Sequence, residues 1–121
     1  MSKIFIFLLM IFMHTLADYN LQGWLASAKH KNYWKDYESR CRYDYIVALF
    51  IHSFQWCFLV MLPVVFCIDF KISYEFIFWF IWNLIVHMLT DNLKANKKCI
   101  SLITDQIIHM IQIILTFFIF V

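Results

Sequence analysis

Four apolar stretches, each about as long as a bilayer-crossing helix, constrain this chain more than any other feature. They cover roughly residues 4–26, 45–68, 76–92 and 99–121, and a spanning helix needs about 20 residues. A β reading fails, because the runs are too long and do not alternate between apolar and polar residues. Hydrophobic residues make up 64% of the chain and charged residues only 15%. A soluble domain of this length could not hide so much apolar surface, since ordinary domains are about half apolar and a quarter charged. The expectation is one all-α membrane domain over 1–121: a polytopic bundle of four transmembrane helices.

The segments between the stretches set an orientation. The connection over 28–44 carries Lys29, Lys31, Lys35, Arg40 and Arg42, and the connection before the fourth stretch carries Lys94, Lys97 and Lys98. The opposite side has only Lys3 and Lys71. Basic loops stay on the cytoplasmic side, which predicts an inner-membrane protein with both termini outside the cytoplasm. Tyr33, Trp34, Tyr37, Tyr43 and Tyr45 are interleaved with the cations of the 28–44 loop, as in an interfacial aromatic belt. Nucleic acid is not an expected partner: the net charge is only +2 and no motif of a nucleic-acid-binding fold occurs. Lys3 followed by an apolar run and Ala17 is reminiscent of a secretion signal, but helical spacing continues through Asp18 and Gln22, so a first span is expected. Cys41, Cys57, Cys67 and Cys99 have no paired metal-site spacing and read as ordinary small side chains.

Three of the apolar stretches carry a histidine and an aspartate four residues apart: His14 and Asp18, His87 and Asp91, Asp105 and His109. Residues at that spacing share one helix face. Ionisable groups at membrane depth are costly and mark function by default. The order of the pair reverses in the fourth stretch, where the helix direction also reverses. All three aspartates therefore fall at one level and the three histidines about 5–6 Å deeper, one helical turn away. His52 lies about 12 Å from Asp44 along its helix, near the histidine level. One mismatch stands against this layering. Along straight helices, Asp105 is about 10 Å from Lys98 but Asp18 is about 16 Å from Lys29, so the first segment must protrude or tilt.

Imidazoles and carboxylates converging in a dry bundle suit a divalent ion such as zinc, manganese or iron. The expected ligands are His14, Asp18, His87, Asp91, Asp105 and His109, with His52 as a further candidate. One of Asp18, Asp91 and Asp105 would act as general base in metal-assisted hydrolysis of a lipid-linked or membrane-proximal substrate. The same residue types also build proton or ion relays, for which an oligomer is expected, or hydrogen-bonded networks that only join helices. A fourth reading is a phage or host accessory protein that binds a membrane partner. Gln22, Gln55, Gln106 and Gln112 are expected as interhelical partners. Lys94 is expected to pair with Asp91, Lys29 to extend to the interface or, alternatively, to reach the mouth of the site, and His30 to be solvated.

The set His14-x-x-x-Asp18-x-x-x-Gln22, Lys29, His52, His87-x-x-x-Asp91-x-x-Lys94 and Asp105-Gln106-x-x-His109 resembles the small bacterial and phage membrane proteins grouped as domain of unknown function 3307. Its most specific part is the closing Asp-Gln-x-x-His, and Tyr19 stands where members often have phenylalanine. That family is distantly similar to the membrane-bound metal-dependent hydrolases. The resemblance implies the four-helix fold and this choice of residues, and leaves the reaction open.

Overall fold

The computed structural model describes residues 2–121. Among these residues the chain is all-α, without strands. Helix α1 spans Lys3–Thr15 and continues as a π turn through Leu16–Asn20. A single turn, α2, spans Leu25–Ala28. Helix α3 spans Asp44–Cys67, and α4 spans Tyr74–Asn92 with a π-turn extension over Leu93–Lys97. Helix α5 spans Leu102–Phe120. Four segments are long and apolar enough to cross a membrane: Lys3–Asn20, Ser39–Cys67, Tyr74–Lys97 and Leu102–Phe120.

Local chemistry sets several of these boundaries. Ser2, Ser73 and Ser101 cap α1, α4 and α5 by accepting hydrogen bonds from the backbone N–H groups of Phe5, Phe76 and Thr104, which satisfies donors with no partner in the helix. The fourth span therefore starts at Leu102 rather than at Cys99. Lys98 at φ 53° turns the chain just before it. Asp69 and Phe70 adopt the same left-handed backbone between α3 and α4.

Helix α3 is central and packs against α1, α4 and α5. The half of the bundle away from the basic loops has an apolar core of Ile6, Met10, Trp56, Cys57, Val60, Met61, Val64, Phe76 and Ile113. The outer surface is apolar too, with Leu8, Phe12, Phe58, Ile81 and Ile111 exposed, a perimeter compatible with contact to a lipid bilayer. All four cysteines are free. Buried Cys57 points its thiol at the Phe80 carbonyl oxygen, 3.2 Å away.

The first segment departs from the expected straight helix to residue 26. It ends at Asn20, and Gly23 at φ 50° reverses the chain, a backbone conformation that costs glycine little. Gln22 therefore leaves the His14–Asp18 stripe. The turn also removes the depth mismatch. Lys29 is not a full 16 Å of helix beyond Asp18, because the chain folds back and brings α2 against α3. The returning loop is tied to the α4 extension. Asn96 donates to the Lys29 carbonyl and accepts from the Lys31 N–H. Half-buried His30 bonds the Ala95 carbonyl through Nδ1, so it is not a freely solvated side chain.

Candidate metal centre

In the half of the bundle nearest the basic loops, α1, α3, α4 and α5 each turn titratable side chains inward. His14, Asp18, His52, His87, Asp91, Asp105 and His109 are all at most 6% exposed. The structure thus brings together all seven residues singled out from the sequence. His52 Nε2 lies 3.4 Å from Asp18 Oδ1 and 3.3 Å from Asp91 Oδ2. His109 Nε2 lies 3.5 Å from Asp91 Oδ1 and 3.4 Å from Asp105 Oδ1. The rings of Trp56, His87 and His109 form a stack, with centroids 4.3 Å and 4.1 Å apart.

Hydrogen bonding assigns different roles to these histidines. Trp56 Nε1–H donates to His14 Nδ1 at 2.8 Å. In the neutral ring the proton is then on Nε2, which donates to Gln106 Oε1 at 3.0 Å. Both nitrogens are occupied, so His14 orients its neighbours and does not offer a ligand lone pair, contrary to the expectation from sequence. Gln106 Nε2 in turn donates to Asp18 Oδ2 and Asp105 Oδ2.

His109 is arranged the opposite way. Gln112 uses its amide N–H groups on the Asn83 carbonyl and Oδ1, so its Oε1 accepts from His109 Nδ1–H at 3.1 Å. In the neutral ring this leaves a bare Nε2 lone pair, and that atom has no hydrogen-bond partner. It faces two carboxylate oxygens. Lone pair against carboxylate is repulsive, because all three atoms are acceptors, so either a proton on Nε2 or a metal ion must lie between them.

The spacing of these atoms fits a coordinated ion. A tetrahedral zinc with ligands about 2.0–2.1 Å away holds neighbouring ligand atoms about 3.3–3.4 Å apart. The separations of 3.3–3.5 Å around His52 and His109 are close to that edge length, whereas His87 Nε2 stands farther from Asp18 Oδ1 and Asp91 Oδ1, at 3.8 and 3.9 Å. Two triads could each hold an ion, Asp18–His52–His87 and His87–Asp91–His109, and they share His87. Asp18 Oδ1 and Asp105 Oδ1 also lack hydrogen-bond partners.

Two lysines complete the cluster. Lys29, 5% exposed, donates to Asp91 Oδ2 at 2.7 Å, so it is buried in the site and does not extend to the interface. Lys94 donates to Asp105 Oδ2 at 2.5 Å and stands 4.0 Å from Asp91 Oδ1, so Asp105 rather than Asp91 is its main partner. Each lysine holds the outer oxygen of an aspartate and leaves the inner one facing His109. With all four histidines neutral, three carboxylates against two ammonium groups leave one negative charge, which a single imidazolium or a metal ion can offset. One divalent ion plus one anionic group brings the cluster to neutrality, whereas two divalent ions would leave a large positive excess in a dry interior.

Sequence reasoning passed over Trp56, although it lies one turn after His52 on the same face. It also passed over Asn83 and Thr116, joined by a hydrogen bond of 2.8 Å, which extend the polar column beyond Gln112. Helical spacing does not place Lys29 in the site, because its position depends on the turn at Gly23. The chain matches no family profile, no curated protein and no solved structure.

Proposed function

We propose that this chain is a multi-pass membrane protein that binds one divalent transition-metal ion and hydrolyses a lipid-linked or membrane-proximal substrate. The observation that carries the reading is His109 Nε2, which faces Asp91 Oδ1 and Asp105 Oδ1 at 3.5 and 3.4 Å with no hydrogen bond to either. His52, His87 and His109 with Asp18, Asp91 and Asp105 supply more donors than one ion needs. One carboxylate is therefore free to take a proton from water. The ion would polarise a substrate oxygen and acidify that water. Lys29 and Lys94 hold the carboxylates in place and cancel charge. The resemblance to the small membrane-protein family supports this choice of residues and leaves the reaction open.

An apolar surface groove beside the cluster supports a lipid-linked substrate. A shallow groove of about 510 Å³ runs along the outer face of α5, lined by Tyr19, Leu102, Ile103, Ile107 and Ile111, with Gln106 as its polar contact. Gln106 is half-buried and bonds His14, Asp18 and Asp105. A hydrocarbon chain in the groove would lie against Gln106, whose amide is bonded to the cluster on its inner side. In the cell we place the basic loops in the cytoplasm and the protein in a bacterial inner membrane.

The decisive experiment is elemental analysis of the purified full chain, prepared without chelator, alongside His109→Ala. About one equivalent of zinc, manganese or iron in the wild type and none in the variant is the expected result. No metal in either well-folded sample would sink this reading. A second reading, a proton relay, draws on the polar column from His109 through Gln112 and Asn83 to Thr116. The column closes on itself, since Thr116 donates back to the Gln112 carbonyl, and the apolar core lies beyond it. Proton flux in liposomes from a metal-free protein would favour the relay.

A further inference from the structure

The connection between α2 and α3 is built as a cradle of cations and aromatic rings. Two short 3₁₀ turns, Lys31–Trp34 and Ser39–Cys41, give it a defined path. Trp24 Nε1–H donates to the Tyr33 hydroxyl at 2.9 Å, and Trp34 Nε1–H donates to the Ala28 carbonyl at 2.7 Å. Trp34 packs edge-on against Trp24 and Tyr33, and Tyr37 lies 5.3 Å from the Trp34 ring. Beside these rings is an open cleft of about 380 Å³, with Lys31, Lys35, Arg42, Trp34, Tyr37 and Tyr45 in its walls.

The cations of the cleft are not neutralised. Lys31 Nζ lies 5.0 Å from the Tyr45 ring centre and the Arg42 guanidinium 5.6 Å from that of Tyr43, so aromatic faces hold them rather than carboxylates. Among the described residues, no ion pair includes Lys31, Lys35 or Arg42; the pairs made by Lys29 and Lys94 lie in the His/Asp cluster. Glu38, also in the wall, is bound by Arg40 at 2.7 Å. The cleft therefore presents three positive charges to an incoming anion. A neighbouring pocket that shares Trp34 with the cleft is lined by exposed Val47 and Ile51 on the apolar span of α3, with Trp24 and Asp44, and Tyr43 in the cleft wall is exposed.

We propose that this cleft is a binding site for the phosphate headgroup of an anionic phospholipid, whose acyl chains lie along the exposed face of α3. Charge complementarity selects the phosphate. The adjoining apolar helix selects a lipid over a free anion, and the exposed Trp and Tyr rings suit the level of the headgroups. The site is separate from the His/Asp cluster and does not depend on a metal.

Native mass spectrometry of the full chain, released from micelles containing equal phosphatidylglycerol and phosphatidylcholine, tests this. One phosphatidylglycerol retained in clear preference is expected. Lys35→Glu/Arg42→Glu, two exposed positions, should lower that retention at least about tenfold. The control Lys97→Glu/Lys98→Glu makes the same change of charge on the other basic loop and should retain the lipid. Equal retention of the two lipids, an equal loss in the control, or displacement of the lipid by inorganic phosphate alone would each overturn the proposal. So would tighter binding of a single-stranded oligoribonucleotide to the same cleft.

Discussion

The two halves of the bundle hold the same four helices together with opposite chemistry. Away from the basic loops, Met10, Val60, Met61, Val64 and Ile113 fill the interior. Near those loops the same helices bury four histidines, three aspartates and a lysine. An apolar interior stabilises through close packing. A charged one lowers stability unless each group is paired, and replacing such a cluster by apolar residues is often neutral or favourable. Where packing alone would serve, a charged cluster points to a function. The apolar half holds the helices in place, and the polar half uses the geometry they create.

That contrast can be broken in graded steps. Lys29→Met should have the largest effect, about 3–5 kcal/mol of destabilisation, because it leaves Asp91 buried without its 2.7 Å partner. Lys29→Met/Asp91→Asn should recover most of that loss in denaturant unfolding from micelles while removing metal. If the double variant stays as unstable as the single one, the lysine contributes by packing and not by charge. Met61→Ala, in the apolar half and 1% exposed, should cost about 2–5 kcal/mol through an unfilled cavity. Its metal content should stay at the wild-type level by elemental analysis. Metal loss there would mean that the two halves are not separable.

Trp56 spans the boundary between the halves and tests it more finely. Trp56→Phe keeps a ring beside His87 but removes the donor to His14. Leaving that buried acceptor unpaired should cost about 1–3 kcal/mol in thermal unfolding. The effect on metal affinity should be smaller than that of His109→Ala, since His14 has both nitrogens occupied by hydrogen bonds. Gly23→Ala should cost about 1 kcal/mol, from backbone strain alone. The added Cβ would meet no atom within 4 Å, but φ is 50°. Leu8→Val, on the exposed perimeter, should change stability by less than about 0.5 kcal/mol. Unfolding in bilayer discs would check both.

Much was determined by the sequence alone, because it depends on near neighbours along the chain. Four apolar runs force four helices, since a backbone in an apolar medium must satisfy its own hydrogen bonds. The i to i+4 pairing of His and Asp, with its reversal in the fourth stretch, put three pairs on inward faces at one depth. The division of labour within the cluster was decided only in the tertiary structure. His14 and His109 are each paired with an aspartate at the same spacing, yet one has both nitrogens hydrogen-bonded and the other leaves Nε2 without a hydrogen-bond partner. The difference comes from Trp56, Gln106 and Gln112, on α3 and α5. Lys29 becomes part of the site only because a glycine turn and the Asn96 clasp fold α2 back against the bundle. Periodicity reports which face a residue occupies. It carries no information about which donor on another helix reaches that face, and here the chemistry of the site depends on that donor.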